Sequence, residues 1–365
     1  TVAGGGVVFN RLVRSLKKHF TRVSWFSITT LLVLHAGVSW WLLNWAGETA
    51  LISLESFFYY YVVTTSTVGF GDMSPETEMG KWVVAVVQIP MGLAIFGAML
   101  GKLGQSVSIV LRQIMTGEKD FRHLDTHILI FGWHEKRTGK MIEHILGDKR
   151  RMKRPILLCV TEDMEHPFID NPLVEFARLK SFTDDNELDR INVHEADRVI
   201  VDCDNDDMTF TCALKLSPMV EEDCHISAYF NDETKVEMLN RYTSNVECNS
   251  SKTAEILVRS MQDPGSSRLQ EILMSTLYGD TQFSTQVPEG VGDLQFGQLF
   301  YYLKHHHNAI LLAVATDRIG VNMSLNPTNE HEVQAGHVLH YVAPHRLLAD
   351  EIDWLSIAKT PFREN

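Results

Sequence analysis

Two stretches of this chain contain no charged residue: Val23 to Gly47, 25 residues, and Trp82 to Gly101, 20 residues. As helices, each is long enough to cross about 30 Å of hydrocarbon. The first begins with Trp25 and Phe26 and ends with Trp40, Trp41 and Trp45. Aromatic side chains at both ends suit the two water–lipid interfaces. A signal peptide would have a shorter apolar region and a small-residue cleavage site, which this stretch lacks. Both runs are therefore read as membrane spans. His35, in the middle of the first, is expected to face a helix neighbour.

Charge divides the chain in the same way. The net charge of −13 separates into +3 for residues 1–112 and −16 for the remainder. Arg11, Arg14, Lys17, Lys18 and Arg22 precede the first span with no acid among them, which places the N-terminus in the cytoplasm. Two spans return the chain to that side, so both termini are expected to be cytoplasmic in a multi-pass protein of the plasma membrane. The remainder is acidic and lacks the clustered bases that phosphate backbones require, so nucleic acid is not an expected partner. Its five cysteines contain no CxxC pair and read as reduced thiols.

Between the spans lies ESFFYYYVVTTSTVGFGDMSP. Glu55 to Thr65 is apolar and aromatic but too short to span. A re-entrant helix fits, held by protein or facing water. After it, backbone carbonyls can line an axis only if residues alternate between ordinary and left-handed conformations. Gly69 and Gly71 permit this without a Cβ penalty. Thr67 can add its hydroxyl, Val68 and Phe70 point outward and pack, and Asp72 follows at the mouth. Glu48, Glu55, Glu76 and Glu78 also lie between the spans, with Lys81 the single base. Such a mouth concentrates cations, although Glu48, Glu76 and Glu78 individually read as solvated loop charges. In the second span, Pro90 and Gly92 favour a bend and are the candidate gating hinge. Gly97, Gly101 and Gly104 can equally serve close packing.

TVGFGD, Thr67 to Asp72, resembles the potassium-channel signature sequence, with Phe70 in place of the commoner tyrosine. The resemblance implies a ring of four loops whose carbonyl oxygens replace the hydration shell of potassium ions. The alternative within the channel class is a non-selective cation pore.

From Thr126 the pattern changes to alternating strand and helix. THILIFG, RPILLCVTED, ADRVIVDCDND and DCHISAYF read as strands of a parallel, doubly wound sheet. The turn Gly132, Trp133, His134, Glu135 opens a helix and lacks the middle glycine of a dinucleotide fingerprint. Glu162 and Asp163 end the next strand, where an acid can bond ribose hydroxyls. These six residues form the candidate nucleotide site, for NAD, ADP or ATP. Asp202, Asp204, Asp206 and Asp207 form a candidate site for calcium or another divalent cation. The EF-hand reading of that cluster fails, because the loop glycine is missing and Ala213 stands at the twelfth position. His305–His307 read as a polar helix end.

With the pore motif upstream, the whole resembles a two-span potassium channel carrying an RCK domain (regulator of potassium conductance). HILIFGWHE resembles that family's first strand and turn, and SFTDDNELDRINVHEADRVIVDCDND its third and fourth strand region. The implied fold is an α-helical two-span tetrameric pore with a re-entrant pore helix. A Rossmann-like α/β RCK domain follows, with a small α+β C-terminal lobe. On this reading 1–22 is a cytoplasmic N-terminal segment. Residues 23–112 are the pore domain, with spans at about 23–47 and 82–110 and pore helix and filter at about 53–72. Residues 113–125 are a linker, 126–280 the N-lobe and crossover, 281–345 the C-terminal lobe, and 346–365 a tail. The resemblance implies a homotetramer in a lipid bilayer. Its ring of RCK domains is completed by the chain itself or by separate soluble copies, and it gates the inner helix when ligand binds. An enzyme is not expected: no placed acid–base residues accompany the α/β pattern. A non-conducting, membrane-anchored nucleotide sensor is the remaining alternative.

Overall fold

The computed structural model describes residues 24–148 and 153–359. The five N-terminal bases and the expected segment 1–22 lie outside the described residues, as does the end of the expected tail, 360–365. Contacts divide the chain into two compact units, Thr1–Gln113 and Ile114–Asn365.

The first unit is helical. Helix α1 (Trp25–Trp45) is capped by the Ser24 hydroxyl, which accepts from the Phe26 N–H. Helix α2 (Leu54–Thr65) is capped in the same way by Ser53, and α3 begins at Glu78 after the cap Thr77. Each cap satisfies one of the N–H groups that a helix start leaves unpaired. Helix α3 runs from Glu78 to Thr116, 39 residues, with one wide π-helical turn at Val84–Gln88. Both α1 and α3 are long and apolar enough to cross a membrane by length and composition. Leu43, Leu51, Phe57, Tyr60, Tyr61, Val83 and Val84 form the core where the three helices meet. Phe26, Val33, Leu34, Trp41 and Trp45 stay exposed on α1.

The second unit is built on a six-stranded parallel sheet. Its strands are β1 (His127–Phe131), β2 (Ile156–Val160), β3 (Val174–Arg178), β4 (Ala196–Val201), β5 (His225–Phe230) and β6 (Val246–Ser250). Their order is β3-β2-β1-β4-β5-β6, with Ile130 paired to Leu158 on one side and Ile200 on the other. This is the doubly wound order, which reverses direction between β1 and β4. Every residue of β1 and β2 is buried, and their apolar runs suit strands covered on both faces.

The crossovers are α4 (Glu135–Gly147), α5 (Asp185–Arg190), α6 (Asp206–Leu216) and α7 (Glu233–Asn240). The third strand precedes the SFTDDNEL stretch in which the sequence reading sought it. There Asp184 accepts from the Asn186 and Glu187 N–H groups and so starts α5. An aspartate that caps a helix turns the local preference away from a strand.

Helices α8 (Thr253–Gln262) and α9 (Ser266–Met274) lead to a second lobe. Strands β7 (Thr281–Gln286), β9 (Ile310–Ala315), β10 (Met323–Leu325) and β12 (Val338–Ala343) form its antiparallel sheet, ordered β10-β9-β12-β7. The short strands β8 (Leu294–Gln295) and β11 (Glu332–Val333) pair beside it, and α10 (Phe296–His307) covers it. The expected tail is part of this core. Leu347, Ile352, Trp354 and Ile357 are buried in it, the last two on α11 (Trp354–Lys359), and the Leu347 N–H donates to the Tyr341 hydroxyl at 2.8 Å. Apolar residues spaced through a polar terminus are enough to fold it back.

Candidate functional site

In the first unit, the segment after α2 alternates in backbone hand. Thr67, Gly69 and Gly71 have φ of 64°, 54° and 78°. Val68 and Phe70 between them do not, and both are exposed in the single chain. The two glycines adopt this conformation freely, whereas Thr67, β-branched, is strained by it. The segment is tied down at both ends. The Val68 and Gly69 N–H groups reach the Val63 carbonyl at 3.1 and 3.2 Å. At the other end the Tyr59 hydroxyl donates to Asp72 at 2.7 Å.

Glu48 is buried, contrary to its reading as a solvated loop charge. It accepts from the Glu76 N–H, the Thr77 N–H and the Thr77 hydroxyl, at 3.1, 2.8 and 2.8 Å. Burial pushes its carboxyl up, but these bonds and the nearby Lys81 charge outweigh that and hold it below its usual range. Glu48 thus clamps the start of α3, and Gly80 leaves the space for it.

Pro90 lies two residues past the π turn of α3, and the Ile89 N–H between them reaches back to the Val84 carbonyl. Proline has no N–H and its ring crowds the carbonyl four residues earlier, so a widened turn at this point has a local cause. Gly92 is buried. A Cβ there would stand 3.2 Å from Thr65 Cγ2 and 3.3 Å from His35 Cε1. Its small size is used for close packing against α1 and α2.

In the second unit, the turn from β1 into α4 lies at the reversal point of the sheet. Gly132 has φ of 100°, and a Cβ there would run into the backbone of Asp202 and Cys203 at the end of β4. Only glycine fits that approach. His134 precedes α4, and no side chain caps the helix's first N–H groups. Its Nε2 lies 3.3 Å from the Cys203 carbonyl. Trp133 packs edge-on against Phe168, and Glu135 is exposed at the start of α4.

The acid pair after β2 splits. Glu162 faces Asp204 and His134; burial first, then the neighbouring Asp204 charge, pushes its carboxyl up. Asp163 turns away to pair with Arg178 of β3. A cavity of about 460 Å³ lies beside this end of β2, lined by Thr161, Asp163, Arg178, Lys180 and Arg190 among others. A second, of about 420 Å³, shares Thr161 and Lys180 and continues to Met208 and Thr211. Ligands of open α/β sheets bind at this end of the strands.

The four aspartates proposed for a cation do not converge. Asp202 is buried and bound bidentately by Arg137, at 2.6 and 2.7 Å. Asp204 faces Glu162. Asp206 accepts from the Asn231 and Asp232 N–H groups at 3.1 and 2.7 Å, and Asp207 pairs with Lys235 at 2.5 Å. Asp202, Asp206 and Asp207 are thus already engaged in joining strand ends and helices. No group of three or more His, Cys, Asp or Glu suited to a metal occurs among the described residues. Of His305–His307, His306 stacks on Tyr302 with centroids 4.5 Å apart. Arg137, absent from the sequence reading, is the central cation of the site, and its guanidinium also covers the Tyr229 ring at 4.7 Å. A base in the first turn of a helix, against the dipole, was the available signal.

Residues 27–108 match a protein family described as "Ion channel". Among curated proteins, the chain is similar to "Putative potassium channel protein YugO" of Bacillus subtilis (strain 168). They are 29% identical over 146 residues, which cover 40% of this chain and 42% of that protein. Among solved structures it is similar to "GsuK channel bound to NAD", at 16% identity and TM-score 0.42, covering 93% of this chain and 59% of that one. It is also similar to "Crystal structure of the GsuK bound to ADP", at 20% identity and TM-score 0.38, covering 60% of each chain. The chain thus spans less than half of the curated relative and about three fifths of the GsuK channel. As the sequence leads us to expect, two apolar helices lie in and around the ion-channel match, and a parallel α/β sheet follows.

Proposed function

We propose that this chain, whose residues 27–108 match the ion-channel family, conducts potassium selectively across the plasma membrane as a homotetramer. The observation that carries this is the alternation of left-handed backbone at Thr67, Gly69 and Gly71 between two apolar helices. Alternating hand turns successive carbonyls to one side. Four such segments around an axis offer potassium a cage of oxygens in place of water. The Tyr59–Asp72 bond and the Val63 carbonyl hold the segment at its two ends, which lowers the cost of keeping the carbonyls aligned. Both termini lie in the cytoplasm on this reading.

The same reading makes the α/β unit the gating element, with a nucleotide as its ligand. Gly132 and the uncapped start of α4 suit a phosphate group, which accepts from backbone N–H groups and favours the positive end of the helix dipole. Glu162 stands at the end of β2, where a ribose hydroxyl can donate to it. A nucleotide, NAD, ADP or ATP, gates only by binding the open and closed states unequally; a full switch needs about 5 kcal/mol, shared among four sites.

Potassium and sodium flux from liposomes holding the purified chain tests the reading. Potassium permeability at least about tenfold above sodium is expected. Gly69→Ala should abolish the preference, since an L side chain at φ 54° costs about 1–2 kcal/mol per subunit. Equal sodium and potassium flux through the unmodified protein would make it a non-selective cation channel. No flux of either would leave a membrane-anchored nucleotide sensor.

A further inference from the structure

A polar seam runs through the first unit. His35 and Ser39 lie one turn apart on α1, and Thr65 ends α2. Gln88 closes the π turn of α3, and all four are at least 95% buried. Two tyrosines of α2 bond two of them, His35 and Gln88. His35 Nδ1 lies 2.6 Å from the Tyr61 hydroxyl, which also reaches the Leu32 carbonyl at 3.3 Å. The Tyr60 hydroxyl donates to Gln88 Oε1 at 3.4 Å. Gly92 lets the three helices close here, with His35 and Thr65 both against its Cα.

Burying polar groups in a membrane unit is unfavourable unless they pair with one another. Apolar side chains of similar size would pack the same space at less cost. What hydrogen bonds add is direction: they fix the depth and rotation of α2 against its neighbours, where apolar contacts allow sliding. Thr65 is two residues before Thr67, the first left-handed residue of the segment. A rotation of α2 about its axis would therefore pass directly into the backbone of Thr67 to Gly71.

We propose that His35, acting through Tyr61, is a positioning residue for the ion-selective segment. Its imidazole fastens α2 to α1 in the one rotation that keeps the carbonyls of Thr67–Gly71 in line. Gly92 is the third member, since a larger side chain there would push His35 and Thr65 apart. The inference rests on the potassium-conduction reading.

The test is the sodium-to-potassium permeability ratio of the full chain in planar bilayers, with tetramer content checked by gel filtration. Tyr61→Phe removes one hydroxyl and keeps the ring. It should raise the ratio about tenfold with the tetramer intact, the scale expected when the buried bonds to His35 and the Leu32 carbonyl are lost. His35→Phe, which leaves the Tyr61–Leu32 bond in place, should raise the ratio by no more than Tyr61→Phe does, and the double variant should be no worse than Tyr61→Phe alone, because Tyr61→Phe already removes the bond to His35. His35→Gln, whose amide can still pair with Tyr61, should stay within about twofold of the unmodified protein. A merely structural role would lower tetramer yield and leave the ratio unchanged. If His35→Phe does not assemble, Tyr61→Phe and His35→Gln decide between them. A selective unmodified channel beside an equally selective Tyr61→Phe sinks this inference alone. An unmodified channel without selectivity sinks the conduction reading and this one with it.

Discussion

Glu162 and Asp163 are adjacent in sequence and differ in surroundings. Asp163 is exposed and paired with Arg178, while Glu162 faces another carboxylate in a partly buried place. Burial and Asp204 make the folded chain hold the Glu162 proton more tightly than the unfolded chain does. Between the ordinary carboxylate range and that raised value, the folded state binds more protons, so stability falls as pH rises through the window. In a 114–365 fragment, Glu162→Gln should flatten this decline, read as urea midpoints from about pH 4 to about pH 8. Parallel curves for the two proteins would contradict it. The sequence showed the acids but not their division, because partners for each come from β3 and the end of β4, far along the chain. Gly69 and Gly71 were legible because their conformation is one that glycine alone adopts freely. Thr67 was not: its left-handed backbone is imposed by neighbours, and nothing in a threonine announces it. The aspartates after β4 misled for the opposite reason, since helix starts and cation loops favour the same residue type.

Among the elements, the central strands were legible and the edge strands were not. HILIF and ILLCV are buried throughout and apolar but for His127, whereas β3 (VEFAR) and β6 (VECNS) are only partly buried and carry polar residues. The π turn before Pro90 was foreshadowed as a bend, but its width could not be read from the proline alone. Helices α8 and α9 have no buried residue, although Leu257, Met261, Leu269 and Met274 are between 58% and 71% exposed. Two neighbouring helices with unburied apolar faces are an expected contact between subunits of the proposed tetramer. Leu257→Asp with Met261→Asp should shift the 114–365 fragment to a smaller species on gel filtration. Its circular dichroism should not change, and its stability should move by only about 0.5 kcal/mol, as for other surface changes. An unchanged elution volume would place the subunit contact elsewhere.

At the scale of the whole molecule, the two units differ in what holds them. The first is apolar outside, with a polar seam running beside its apolar core; the second has an interior built on an open six-stranded sheet and its own second lobe. A fragment beginning at Ile114 should therefore be soluble and unfold cooperatively. Aggregation of that fragment, or a disordered circular dichroism spectrum, would show that it needs the first unit. The strand order has a further consequence, for how the protein is made. Strand β1 leaves the ribosome early, yet one of its two sheet neighbours, β4, begins at Ala196, and the sheet is complete only after Ser250. At about 5–20 residues per second, that last strand emerges roughly 7–27 s after Gln113. On the proposed channel reading both apolar helices would reach the membrane first, so an incomplete, strand-edged sheet would wait tethered at a bilayer surface until β6 emerges.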